Sequence, residues 1–310
     1  MPAASRLIGA AVVAFAVASA AAHGQTTGRI DICGGVGTPT PVARIAACSA
    51  AIESGAESGR ELARLFYNRA SAHRARGEIE RAITDFDRAV QADPGLAVAF
   101  NDRGNLYVAK RQYDRAIEDY DQAVRLDLTS AGFVYNRGIA HVSKGQFDLA
   151  IADYDAAIRL NPRYAAAYNS RGIAYMRKLQ YERGRADFAE ATRLDPNNAV
   201  AYDFRCWNWA IVGEIGQALV DCNESIRLRP NYPSAFESRA FAYLKAGALD
   251  KAIADYDSAL KLAPRQAMSL FGRGIAKRNK GDASGAAADI AAARAIRPDI
   301  GEEFALYGVR

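Results

Sequence analysis

Apolar residues recur along this chain in helical steps. Ile83, Phe86 and Val90 fall at i, i+3 and i+7, the stripe of a helix with one buried face. The pattern returns with a period of 34 residues, inside a fixed frame of charged and small positions. Arginine recurs at Arg69, Arg103, Arg137, Arg171, Arg205, Arg239 and Arg273. Sixteen residues after each stands an acid: Asp85, Asp119, Asp153, Asp187, Asp221, Asp255 and Asp289. One small column holds Ala82, Ala116, Ala150, Ala218, Ala252 and Ala286, with Gly184 in the fourth copy. A second holds Ala89, Ala123, Ala157, Ala191, Ser225, Ala259 and Ala293. Mid-period breaks at 144–145, 212–213, 246–247 and 280–281 carry a glycine able to turn the chain sharply. A proline closes each period (Pro94, Pro162, Pro196, Pro230, Pro264, Pro298) except the second, where Leu128 stands. It cannot continue a helix. Each period is therefore predicted to be a helix–turn–helix hairpin, whose small columns admit close helix approach. One hairpin cannot bury both faces, but a stack can.

Seven consecutive periods of this kind resemble the tetratricopeptide repeat, and Gly-Gln-Phe-Asp-Leu-Ala-Ile-Ala-Asp-Tyr-Asp at 145–155 is typical of bacterial members. The resemblance covers residues 63–300, divided as 63–96, 97–130, 131–164, 165–198, 199–232, 233–266 and 267–300. It implies an all-α, right-handed superhelical solenoid. Leu128, Gly184 and a polar fifth unit depart from the pattern.

The flanks differ from the repeats. Arg6 followed by the apolar run Leu7–Ala18 and the small residues Ala18–Ala22 forms a secretory signal, so residues 1–22 are expected to be removed. Twelve apolar residues are too few to span a ~30 Å hydrocarbon core. Residues 23–62 read as a loop and a degenerate helical cap. Within them Val42–Ile52 resembles the second helix of a repeat, and Cys33–Pro39 reads as loop. Residues 301–310 restart a first helix and are expected to cover the apolar end of the seventh unit.

Composition narrows the function classes. The chain is 50% hydrophobic and 24% charged, so it is no disordered tail protein. Its net charge of +5 is small and dispersed, and no nucleic-acid partner is implied. Four cysteines in an exported chain favour disulfides over a metal site, since no Cys-x-x-Cys pair exists. Four cysteines allow three connectivities, and free thiols are the alternative to any of them. The repeat register favours one connectivity. Cys206 sits in a column otherwise small, Cys222 in a column otherwise bulky, and the two face each other across a hairpin. Cys33–Cys48 follows by elimination. The arginine–aspartate columns are read as structural ion pairs, notably Arg103, Asp119, Arg137, Asp153, Arg239 and Asp255. A group present in every unit belongs to the unit's architecture.

No His-Glu-x-x-His, Gly-x-Ser-x-Gly or phosphate-loop motif is present, so neither catalysis nor a cofactor is expected. His73 and His141 share one register and read as packed helix residues. The resemblance implies that first helices line a partner-binding groove. Helical spacing places Asn169, Ile173, Met176, Asp203, Trp207, Glu237, Phe241, Leu244, Phe271 and Ile275 on that face. These positions vary from unit to unit while the packing columns repeat. Trp207 is the natural anchor, with packing against Phe241 or Ile173 as its structural alternative. The chaperone-tail-binding subset of the family uses a basic and asparagine clamp; Asp203 and Glu237 argue against such a carboxylate-terminated ligand. The expected function is a periplasmic or secreted scaffold for a protein or peptide, with no membrane span after signal removal. The second reading is an accessory protein for envelope polysaccharide or peptidoglycan.

Overall fold

A computed structural model describes residues 31–309; the signal segment and His23 lie outside them. The described residues fold as helices without strands, in two compact units divided at Lys144 and Gly145. The first unit holds α1 (Pro41–Glu53), α2 (Gly59–Ala75), α3 (Ile79–Ala92), α4 (Ala97–Ala109), α5 (Tyr113–Leu126) and α6 (Ala131–Ser143). The second holds α7 (Phe147–Leu160), α8 (Ala165–Arg177), α9 (Tyr181–Leu194), α10 (Ala199–Val212) and α11 (Ile215–Leu228). It continues with α12 (Pro233–Lys245), α13 (Leu249–Leu262), α14 (Ala267–Asn279), α15 (Ala283–Ile296) and α16 (Ile300–Leu306). Hairpins α2/α3 and α4/α5 stack in the first unit, and α8/α9, α10/α11, α12/α13 and α14/α15 in the second.

Small residues set the helix spacing. A Cβ on Gly104 would meet the Tyr120 ring at 2.9 Å, and one on Gly172 the Phe188 ring at 2.7 Å. In the fifth repeat the same small-against-bulky position is taken by a Cys206–Cys222 disulfide, Cα to Cα 5.3 Å. Two other polar replacements in that repeat bond to backbone carbonyls, although the Asn208 Oδ1 is buried without a partner. The buried Ser225 hydroxyl donates to Ala199 O at 2.8 Å, and Asn208 Nδ2 donates to Tyr181 O at 2.9 Å. Gly184 fits a close helix approach: a Cβ there would lie 3.0 Å from Gly172 O and 3.3 Å from both Asn208 Nδ2 and Met176 Cγ.

Turns between paired helices use a left-handed residue. It is glycine at Gly77, Gly213, Gly247 and Gly281, but Arg111 (φ 57°) and Leu179 (φ 60°) in two repeats. Before α1, Cys33 sits in a helical turn over residues 31–34 rather than in the loop expected there. Gly35 and Gly37, both at positive φ, end that turn, and the Cys33–Cys48 disulfide ties it to α1. Pro41 opens α1 behind Thr40, whose hydroxyl accepts from Ala43 N.

The arginine column works as a two-way clamp. Arg103 donates Nε and Nη2 to both oxygens of Asp119 (2.9 and 2.6 Å) in its own hairpin, and Nη1 to Asp87 (2.6 Å) of the preceding one. Arg171 repeats this with Asp187 and Asp155, and Arg273 with Asp289 and Asp257. Arg239 forks onto Asp255 at 2.7 and 2.8 Å and reaches Asn223. Arg137, in the first unit, donates to Asp121 at 2.8 Å; Asp153 is buried on α7 in the second. Burial still pushes the Asp119 and Asp187 carboxyls upward despite their arginines. The Asp289 carboxyl, which also meets Lys277, is held down instead.

Candidate partner-binding site

In the second unit the first helices α8, α10, α12 and α14 present side chains to one face. A cavity of about 300 Å³ opens there. Ile173 and Met176 supply one wall from α8. Asp203 and Trp207 supply the next from α10, and Glu237 stands opposite on α12. These five of the sequence-predicted groove residues share the cavity. Phe241, Leu244, Phe271 and Ile275 do not: they are buried in the unit's core cluster. Asn169 lies on α8 with its Oδ1 buried and unbonded.

For Phe241 and Phe271 the cover comes in part from a specific segment. The segment after the seventh repeat does more than cover that repeat. Helix α16 packs on α14 and α15, and its side chains also reach the sixth and fifth repeats. Phe304, 1% exposed, has its ring centroid 4.9 Å from Phe271 and 5.9 Å from Phe241. Tyr307 stands edge-on to Trp207 at 5.5 Å and to Phe241 at 6.0 Å. Lys245 Nζ donates to Tyr307 O at 3.1 Å and Ile211 O at 2.7 Å. Trp207 is half-buried and packs against Phe241 with ring centroids 4.5 Å apart and the rings tilted by 33°, so it both packs and borders the cavity. Sequence reasoning missed Glu303 and Tyr307, which close the cavity from this segment. The available signal was an aromatic pair three residues apart in a restarted helix.

The electrostatics of the site turn on two acids. Ser238 Oγ donates to Asp203 Oδ1 at 2.6 Å, and Ser269 Oγ to Glu237 Oε2 at 2.6 Å. Among the described residues neither carboxylate has an ion-pair partner within 4.0 Å; Arg297 at the rim pairs with Glu303 at 2.7 Å and acts on Glu237 only from a distance. Burial pushes Asp203 up to about 6, with Ser238 and Tyr232 partly opposing it. Burial likewise pushes Glu237 up to about 7, with Ser269 opposing and the nearby Asp203 adding to the rise. A larger and more open recess lies at the turns beside Arg183, Arg185, Trp209 and Glu214. There Arg185 lies over Trp209, 4.4 Å from the ring centroid.

The first unit's corresponding polar residues bond to one another. Tyr67 Oη donates to Asp102 at 2.9 Å, Asn136 Nδ2 to Asn101 at 2.9 Å and Tyr120 Oη to Asn105 at 2.7 Å. His73 is buried, with Nδ1 2.6 Å from Glu78, whose carboxyl is held down near 2 by that contact and by Arg76. No group of three or more His, Cys, Asp or Glu placed to hold a metal occurs among the described residues.

Stacked hairpins with an invariant clamp and one variable face define an α-helical repeat scaffold. The chain belongs to the tetratricopeptide repeat family. A TPR repeat model matches residues 104–145 and 140–178, and tetratricopeptide repeat models match 63–96, 165–198 and 238–299. No curated protein matches the chain. Among solved structures it is similar to a tetratricopeptide repeat protein from Parabacteroides merdae ATCC 43184. That pair is 19% identical with a TM-score of 0.65, over 79% of this chain and 98% of that one. It is also similar to PilW, a widely conserved type IV pilus biogenesis factor (20% identity, TM-score 0.60, 67% and 98% covered). A third similarity is to the APC/C hetero-tetramer Cut9–Hcn1 (15% identity, TM-score 0.66, 86% and 52% covered). At these identities the likeness establishes the fold.

Proposed function

We propose that this protein is a non-catalytic, exported scaffold that binds a protein or peptide on the first-helix face of its second unit. The observation that carries this reading is the cavity bordered by Trp207, Ile173 and Met176, with Asp203 and Glu237 behind them. An aromatic anchor beside apolar walls suits a side chain of a partner. The two carboxylates disfavour a carboxylate-terminated ligand and suit a segment carrying lysine or arginine. Two disulfides support export to an oxidising compartment, as does the signal pattern of residues 1–22. No helix of the described residues is long and apolar enough to cross a membrane.

Immobilised protein incubated with cell-envelope extract tests the reading. A stoichiometric protein that is retained by the wild type and lost with Trp207→Ala supports it. Retention on cell-wall sacculi without a protein partner supports the polysaccharide alternative and overturns it. Truncating a central aromatic anchor is expected to weaken binding by about 2 kcal/mol or more, with helicity nearly unchanged.

A further inference from the structure

Helix α16 spans seven residues, too short to be stable alone in water. Its order comes from the surface beneath it. Phe304 fills a seat between Phe271 and Phe241, and Tyr307 covers the edge of Trp207. The segment thus occupies the face that the varying first-helix positions mark as the partner site. It leaves the cavity beside Ile173, Met176 and Asp203 unfilled. Its backbone is anchored from the groove by one side chain, Lys245, through the Tyr307 carbonyl.

We propose that residues 300–309 are a tethered occupant of this groove. The partner then presents a short helix with two aromatic residues three positions apart, taking the seats of Phe304 and Tyr307. This rests on the binding reading above and adds the partner's chemistry and the way access is controlled. A tethered segment competes at an effective concentration in the millimolar range. A partner must therefore contact more than the two seats, and the open cavity offers that extra surface.

The test uses the full chain and a synthetic, fluorescently labelled peptide of residues 299–309. Fluorescence anisotropy is expected to show at least tenfold tighter peptide binding to Phe304→Ala/Tyr307→Ala than to wild type. Adding Trp207→Ala to that variant should abolish the gain. Equal affinity for wild type and variant, or no binding to the variant, overturns the inference, as does binding that survives Trp207→Ala. Circular dichroism checks folding, and Tyr307→Ala alone, which keeps the buried Phe304, gives the same comparison in a milder background. The peptide arm needs no natural partner, so it succeeds or fails apart from the extract experiment. Suppose an envelope protein is captured through Trp207 with an affinity unchanged by Phe304→Ala/Tyr307→Ala. The binding reading then stands and the tethered occupant falls.

Discussion

At the scale of single residues, Asp203 and Glu237 make the groove sensitive to protons. Both carboxyls are raised, Asp203 from 3.8 to about 6 and Glu237 from 4.5 to about 7. Between those limits the folded chain binds protons that the unfolded chain releases. Their contribution is full below pH ~4 and is lost as pH rises towards ~7, amounting to about 3 kcal/mol for Asp203. Denaturant titrations across pH 4 to 8 should show this slope, and Asp203→Asn/Glu237→Gln should flatten it. An unchanged slope would place the titration elsewhere. Leu179 offers a second residue-scale test. It holds φ 60° at a turn where most repeats use glycine, and its side chain is exposed. Left-handed backbone costs a non-glycine residue roughly 1–2 kcal/mol, offset in part by the unfolded-state entropy that glycine adds. Leu179→Gly is expected to raise stability by about 0.5 kcal/mol, read as a small rise in melting temperature.

At the scale of the element, the hairpin was legible because its determinants sit at fixed offsets. Arg103 and Asp119 stand sixteen residues apart in sequence and form a two-pronged bond in space. The same register that aligns those columns puts Cys206 opposite Cys222. Phe304 and Tyr307 were harder to place, because their contacts cross two repeats to Phe241 and Trp207 and follow no period. Helical spacing alone likewise put Phe241 and Phe271 on an open face, although the chain itself covers them. The Cys33–Cys48 cross-link was legible in the sequence, but the helical turn at 31–34 that it ties down was not, because four residues carry no helical period. Two experiments address the hairpin. Arg103→Ala leaves the buried Asp119 without its fork and is expected to cost about 3 kcal/mol, whereas Arg103→Met/Asp119→Leu should recover most of that loss. Reducing Cys206–Cys222, sixteen residues apart, should cost about 3 kcal/mol in denaturant titrations of the chain.

At the scale of the molecule, stability should behave as a sum over repeats and their nearest-neighbour contacts. The arginine clamp gives that expectation a concrete form. Arg103, Arg171, Arg239 and Arg273 reach forward to the acid of their own hairpin and back to a polar residue sixteen positions earlier (Asp87, Asp155, Asn223 or Asp257), whereas Arg205 reaches back to Thr192 and Arg69 to Ser49. The forward reach stays within one hairpin, while the backward partner is set by the segment that precedes it. Copying residues 97–130 in tandem would present Arg103 of the second copy with Asp121 of the first, the bond Arg137 now makes. The lengthened chain should therefore fold with its helical content per residue unchanged and its melting temperature no lower. Loss of cooperative unfolding would show that the clamp alone does not define the joint. A gene for such a protein can thus gain copies of a period that carries this aspartate by unequal recombination without exposing a mismatched seam. Its length becomes an adjustable trait, while the fourth to seventh repeats, which share one groove with the segment that follows them, are the part that cannot be shuffled.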